Sequence, residues 1–251
     1  MSDTPIDVFI DLPSFPGPVQ AGRLWSHFRK GRESASFEYN KEWLANPHRF
    51  ALEPLLPLAD GTFHTNPGQS VFGAIGDSTP DRWGRILMRR AELARARTAN
   101  ESPHTLSELD YLLRVNDEAR QGALRFSQDG GQSFCAPPGS TPIPPLVNLS
   151  RLLHAADHFC RDDENAEDLR LLLAPGSSLG GARPKASVKD KKGNLCIAKF
   201  PRHDDEYNVV AWEAVALTLA SKAGLQVPRF ELEKITDKDV LIVWRFDRTR
   251  E

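Results

Sequence analysis

The chain has 251 residues, with 32 Lys and Arg against 34 Asp and Glu, and a formal net charge of -2. A chain this close to neutral has no overall positive field that would hold it on nucleic acid, although a local basic site stays possible. Cys135, Cys160 and Cys196 stand far apart, which argues against a zinc site. The N-terminus does not resemble a signal peptide and no apolar run is long enough to cross a membrane, so we expect a cytoplasmic protein with no membrane partner.

The first half of the chain is typical of a small antiparallel sheet accompanied by helices. Turn signals between short apolar stretches predict strands at 6–12, 22–28 and 34–39. Residues 44–70 are interrupted by prolines and are predicted to form a loop. The elements predicted after this loop are helices at 82–95 and 106–113 and a strand at 122–126.

A stretch rich in glycine, proline and small polar residues separates the two halves of the chain. It predicts a first domain at 1–130, a linker at 131–145 and a second domain at 146–251. The elements predicted in the second domain are helices near 147–159 and ending near 174, a glycine-rich turn, strands at 186–189 and 195–200, a helix at 205–222, and strands at 230–234 and 240–244. The expected fold class is therefore α+β, with antiparallel sheets in both domains.

The glycine-rich segment at 176–185, which contains Gly180 and Gly181, is the first feature of functional interest. Backbone N–H groups in such a turn can hold a phosphate, and a plain hairpin bend would also explain the glycines. The common phosphate-loop pattern GxxxxGK[ST] does not apply, because Ala182 stands where that pattern requires lysine.

A lysine and a glutamate are the second and third features. Lys199 ends an apolar strand, so its ammonium group is expected to be held by an anion or to reach the edge of a cleft, and a surface lysine that extends into the solvent is the alternative. Glu213 lies on the predicted apolar face of the next helix, where it is either paired with a cation or exposed at the rim of that face. This predicted face consists of Val209, Trp212, Ala216, Leu219, Ala220 and Ala223. A glycine loop, a strand lysine and a helix glutamate, in this order, are typical of the nucleotide-holding lobe of a protein kinase.

Five motifs in chain order resemble the HipA-type serine/threonine kinases, which are the toxins of HipBA toxin–antitoxin modules. The motifs are PDRWGR at 80–85, GALRF at 122–126, SLGGARPK at 178–185, the helix of Glu213 with its exit GLQVP at 224–228, and RFDR at 245–248. The resemblance implies a HipA N-terminal subdomain followed by a kinase-like N-lobe, an antiparallel sheet with a helix.

The resemblance also implies a nucleotide site. Lys199 would contact the phosphates of ATP and Glu213 would support it, under the loop that contains Gly180 and Gly181. Backbone groups from Trp244 to Phe246 would receive the adenine, and Asp247 would hold the ribose. ATP and Mg²⁺ are the cofactors expected of the complete kinase.

Ser178 matches the loop serine whose autophosphorylation silences the kinases of this family, and the neighbouring Ser177 is a second candidate. A phosphate on that loop would add about -1.5 to -2 charge near the ATP phosphates and repel them.

The catalytic aspartate and the metal-holding aspartate of a kinase are not found in this sequence. The segment at 203–208 resembles HxDxxxxN only superficially, because two residues separate Asp205 from Asn208, and it is typical of an N-terminal helix cap. No DFG motif is present. We therefore expect the chain to be the N-terminal half of such a kinase, with no catalytic or metal-binding residue of its own and no activity alone.

Three functional interpretations remain open. A kinase toxin would phosphorylate protein substrates, which in the family include aminoacyl-tRNA synthetases. It would be neutralised by a HipB-type helix-turn-helix antitoxin and would contact DNA only indirectly, through that antitoxin. A non-catalytic regulatory module would instead bind the antitoxin or inhibit a separate kinase, and a two-domain scaffold would have no nucleotide site.

Overall fold

The computed structural model describes residues 5–135, 142–176 and 181–248. These residues form two compact units, of which the first is Met1–Pro80 with Thr105–Pro138 and the second is Asp81–His104 with Gly139–Glu251. Ser177, Ser178 and Gly180, which the sequence analysis singled out, lie outside the described residues. None of the helices in the described part of the chain is long and apolar enough to cross a membrane.

Strands and helices are interspersed along the described part of the chain. The strands are β1 (Ile6–Ile10), β2 (Val19–Arg29), β3 (Arg32–Tyr39), β4 (Thr62–His64), β5 (Leu124–Ser127), β6 (Lys185–Lys189), β7 (Leu195–Lys199), β8 (Phe230–Ile235) and β9 (Lys238–Trp244). The α-helices are α1 (Lys41–Ala45), α2 (Gly73–Gly76), α3 (Arg82–Ala99), α4 (Glu108–Leu113), α5 (Leu149–Cys160), α6 (Ala166–Gly176) and α7 (Val209–Lys222). Short 3₁₀ turns occupy Leu146–Asn148 and Phe246–Arg248.

The first unit is built on an antiparallel sheet in the order β4-β3-β2-β1-β5. A two-residue turn joins β2 and β3, with positive φ angles at both Lys30 and Gly31. This backbone matches the twist of two paired strands, so the strands continue further into the predicted loop at 29–33 than the sequence indicated. The predicted loop at 44–70 also contains β4, which pairs with β3. Three residues are too few to show an alternating pattern.

The core of the first unit lies under this sheet and is rich in aromatic residues. Its largest fully buried side chains include Trp43, Phe37, Phe72, Phe126 and Arg120. A fully buried arginine is unusual, because its charge must be compensated by hydrogen bonds or by a counter-ion. The guanidinium of Arg120 donates to three backbone carbonyl groups of this unit, those of Ser78, Leu112 and Val115.

The second unit contains an antiparallel sheet in the order β6-β7-β9-β8, with helices on both faces. On one face, residues of β6, β7 and β9 form the main core with α3, α5 and α6. On the other face, Leu241 of β9 packs against Val210 and Ala214 of α7. Successive residues of a strand point to opposite faces, so the sheet separates two different chemical environments.

The division into units differs from the predicted domain boundaries at one helix. Residues 81–104, which the sequence prediction assigned to the first domain, belong to the second unit. The reason is that Trp83 and Leu87 of α3 are buried in the core of the second unit. The end of the predicted linker also belongs to the second unit, where Ile143 is buried and Pro145 forms a bridge with Lys189 of β6.

Two predictions about α7 are wrong. The helix begins at Val209 and not at residue 205, because the side chain of Asn208 caps it by accepting a hydrogen bond from the Ala211 N–H at 3.0 Å. The carboxylate of Asp205 binds Arg183 instead. The buried face contains Val210 and Ala214, whereas the predicted face is largely exposed, with Trp212 at 62% and Leu219 at 61%.

Candidate functional site

Lys199 and Glu213 form an ion pair on the α7 face of the second sheet. Lys199 is the last residue of β7 and lies opposite Leu241 of β9, which packs against α7. Its ammonium Nζ donates to Glu213 Oε1. The two side chains are 30% and 39% exposed, so the pair lies at an edge that solvent and a ligand can reach. Of the alternatives for Lys199, the structure thus shows a lysine held by a carboxylate.

The position of Glu213 follows from how α7 packs. Val210 and Ala214 are buried, and Glu213 lies beside them, three residues after the first and one before the second. Residues three and four apart share a helix face, so Glu213 lies at the border of the buried stripe. Its carboxylate can therefore reach the end of β7 while it keeps partial contact with water.

A second lysine, Lys185, lies on the same sheet face. Lys185 is the first residue of β6 and pairs directly with Lys199 in the antiparallel register. Only 7% of it is exposed. Burial lowers the pKa of Lys185 to about 8, the charge of Lys199 contributes in the same direction, and Asp81 and Glu213 oppose the shift. Lys185 is not among the site residues predicted from the sequence, although its position at the end of the glycine-rich segment is a usable signal.

We expect the buried Lys185 to make folding stability depend on pH. The unfolded chain keeps the proton up to the ordinary lysine pKa of 10.5, whereas the folded chain releases it at about 8. Between these values the unfolded state binds more protons, so this residue makes the free energy of unfolding rise with pH. The free energy of unfolding of the wild type relative to Lys185→Met should therefore increase from pH 8 to pH 10 in urea titrations. If the difference in the free energy of unfolding between the two proteins stays the same from pH 8 to pH 10, the burial of the Lys185 amine is contradicted.

Of the two loop glycines predicted to lie near the phosphates, Gly181 is among the described residues, and the structure requires a glycine there. Its φ angle is +85°, and a Cβ atom at this position would lie 2.9 Å from Lys185 Nζ. A side chain would thus be strained in its backbone and would also displace the lysine. Gly181 consequently lies close to the lysine pair of the sheet.

The predicted hinge residues form a separate group. Trp244 lies opposite Cys196, three residues before Lys199 along β7, which places it about 10 Å from Lys199 along the strand. Its indole Nε1 donates to Asp190 Oδ2 at 3.0 Å, and its side chain packs at the border of the main core. Phe246 is 80% exposed, and the carboxylate of Asp247 accepts from Arg245 Nε at 3.0 Å.

The site thus contains two regions on one sheet. Lys199, Glu213, Lys185 and Gly181 lie together at one end of the β6–β7 hairpin, and the residues from Trp244 to Asp247 lie at the other end of the β7–β9 pair. No cluster of three or more His, Cys, Asp or Glu side chains that could hold a metal occurs in residues 5–135, 142–176 and 181–248.

Comparison with known proteins assigns the chain to a family. A model of the HipA N-terminal domain matches residues 17–127, and a model of the HipA-like C-terminal domain matches residues 177–251. The chain is a HipA-type protein. Together these two matches span more than half of this chain, and they confirm the resemblance seen in its motifs.

A solved structure extends the comparison to the fold. The chain is similar to a chain of the toxin–antitoxin complex of HipA, HipB and operator DNA from Shewanella oneidensis MR-1, with a TM-score of 0.50 and 17% sequence identity. The match covers 98% of this chain and 51% of the other, so this chain spans about half the length of that relative. At this identity the comparison supports the mixed α and β fold. A search of curated proteins finds no match.

Proposed function

We propose that the second unit of this HipA-type chain binds the phosphates of ATP and forms the nucleotide-holding lobe of a serine/threonine protein kinase. The ion pair between Lys199 and Glu213 is the observation that carries the proposal. A carboxylate that holds a strand lysine fixes the position of its ammonium group before a phosphate arrives. Lys185 on the neighbouring strand adds a second amine to the same face.

The spacing of the two regions supports the same proposal. The phosphates and the base lie at opposite ends of ATP, so a nucleotide needs two binding regions that are separated in space. Lys199 would contact the phosphates, and backbone groups from Trp244 to Phe246 would receive the adenine about three strand residues away. Asp247 would hold the ribose, and to do so its carboxylate would have to release the hydrogen bond that it accepts from Arg245 Nε.

Mg²⁺ would accompany the nucleotide and would neutralise charge that develops on the transferred phosphate. The described residues offer no metal cluster of their own. We propose that the catalytic and metal-holding aspartates come from the half of a HipA-length chain that this sequence does not span. In this chain, Lys199 and Glu213 would orient the phosphates.

The biological role that we propose is that of a HipA-type toxin. The complete kinase would phosphorylate a protein substrate, in the family an aminoacyl-tRNA synthetase, and Ser178 or Ser177 would be the site of its autophosphorylation. A HipB-type antitoxin would be its partner, and DNA would be contacted only through that antitoxin. The composition of the similar Shewanella complex, which holds HipA, HipB and operator DNA, supports this choice of partner.

We expect Mg²⁺-ATP to stabilise the chain against thermal unfolding. A ligand that binds only the folded state adds about 2.7 kcal/mol at one hundred times its dissociation constant. Differential scanning calorimetry with and without Mg²⁺-ATP measures this shift, and Mg²⁺ without nucleotide is the control. If saturating ATP leaves the melting temperature unchanged, the nucleotide site is disproved, and the scaffold or antitoxin-binding module becomes the better interpretation.

A further inference from the structure

The start of α3 is joined to the glycine turn by hydrogen bonds. Gly181 N–H donates to a carboxylate oxygen of Asp81, and Trp83 N–H donates to Gly181 C=O at 3.0 Å. The indole Nε1 of Trp83 donates to Lys185 C=O at 2.9 Å. Asp81 and Trp83 belong to the PDRWGR motif at 80–85, which the proposed function leaves unexplained. The motif thus holds the segment from Gly181 to Lys185 at both ends.

The element that makes these contacts is a long helix whose first turn is packed into the core. α3 has 18 residues, and Trp83 is 3% exposed in the main core of the unit. The ring of Trp83 packs edge-on against Phe159 of α5, with centroids 5.1 Å apart. A side chain locked by such packing can position its hydrogen-bond partners.

The charge of Asp81 suits its position. Its carboxylate accepts from the N–H groups of Gly181 and Arg82, and these two contacts hold the pKa of Asp81 below its ordinary value. The nearby positive charge of Lys185 acts in the same direction. Asp81 therefore stays ionised at neutral pH, and hydrogen bonds to an ionised acceptor are the stronger kind.

We propose that Asp81 and Trp83 are positioning residues that fix the end of the glycine turn next to Lys185 and Lys199, and so determine where a bound phosphate lies. The proposal rests on the proposed nucleotide site. It assigns a role to a helix that lies about one hundred residues before the glycine turn in the sequence. Neither residue is proposed to touch the nucleotide.

The variants that test this role separate it from helix capping, because Asp81 also caps α3. Serine and asparagine are good caps, but neither offers two acceptor oxygens as a carboxylate does, so Asp81→Ser and Asp81→Asn should keep the helix and release Gly181. Trp83→Phe removes the indole donor and keeps most of the packing against Phe159. Ser107→Ala is the matched control, since it removes the cap of α4 in the other unit.

Two measurements on the full chain decide the outcome. Hydrogen exchange of the Gly181 amide, followed by NMR, should accelerate at least about tenfold in Asp81→Ser and Asp81→Asn. The ATP dissociation constant, measured by calorimetry, should rise about three- to tenfold in these variants and in Trp83→Phe. Ser107→Ala should lower the melting temperature and change neither measurement.

Unchanged exchange at Gly181 in both Asp81 variants would overturn the proposal, and so would faster exchange with unchanged ATP affinity. If the wild type binds no ATP, the proposed function fails and the positioning role fails with it. The exchange data do not depend on ATP and still show whether Asp81 holds Gly181, so a failure of this contact is distinguished from a failure of the nucleotide site.

Discussion

Lys199→Met is expected to abolish most of the stabilisation that Mg²⁺-ATP gives to the wild type. The substitution keeps the length and the apolar stem of the side chain and removes the ammonium group that Glu213 holds. Removing the protein partner of a charged group on a ligand costs about 2–5 kcal/mol where the pair is buried, and the partial exposure of Lys199 places the loss near the lower end. We therefore expect ATP affinity to fall at least about tenfold.

Glu213→Gln should have a smaller effect in the same direction, because the amide can still accept a hydrogen bond but no longer compensates the lysine charge. The double variant should lose little more than Lys199→Met alone, since both substitutions remove one shared interaction. Isothermal titration calorimetry of the four proteins measures this coupling. Additive losses would contradict a role of Glu213 that acts through Lys199.

The chain contains a matched control for Lys199. Lys238 forms an ion pair with Asp157 in the same unit, with Nζ and Oδ1 2.9 Å apart, and its side chain is 29% exposed against 30% for Lys199. Lys238→Met removes a comparable pair that is not part of the proposed site. It should change stability by less than about 1 kcal/mol and leave ATP affinity unchanged. Equal losses of affinity in both variants would show that the effect of Lys199→Met is not specific to the site.

Arg120→Ala is expected to cause the largest loss of stability in the first unit. Arg120 is fully buried, and its Nη1 donates to Ser78 C=O at 3.0 Å. Its Nη2 donates to Leu112 C=O at 3.0 Å and to Val115 C=O at 3.2 Å. The substitution leaves buried carbonyl groups without these donors and creates a cavity, which together cost about 3–5 kcal/mol.

Arg120→Lys should restore little of this loss, because one ammonium group cannot reproduce the planar fork of donors. Arg151→Ala is the control, since Arg151 and its partner Glu167 are both mostly exposed and such pairs contribute about 0–1 kcal/mol. Hydrogen exchange of amides in β1 to β3 under increasing urea reports the stability of the first unit separately from that of the second. A loss below about 1 kcal/mol in Arg120→Ala would contradict a structural role of the buried guanidinium.

Motifs in the sequence predicted the family, and apolar stretches separated by turn signals predicted two antiparallel sheets. The family matches confirm the first prediction, and the two sheets of the structure confirm the second. The ends of the elements were less predictable. The turn between β2 and β3 is shorter than its polar composition indicated, and β4 has three residues, too few for a pattern.

The buried face of α7 could not be derived from its sequence. Apolar residues occur all around this helix, so a periodicity of 3.6 residues favours no single stripe. Packing against Leu241 buries Val210 and Ala214 and leaves Trp212 and Leu219 exposed. Glu213 lies at the border of the stripe that the fold selects, and from there its carboxylate accepts a hydrogen bond from Lys199.

The sequence by itself determined the family, the order of strands and helices around the candidate site, and the selection of Lys199 and Glu213 as candidate residues, because these follow from local patterns and motif order. Only the tertiary structure decided that Lys185 lies beside Lys199, that Asp81 binds Gly181, and that Arg120 is buried. These contacts depend on which distant segments pack together. Burial and pairing are properties of that packing, and no single segment encodes them.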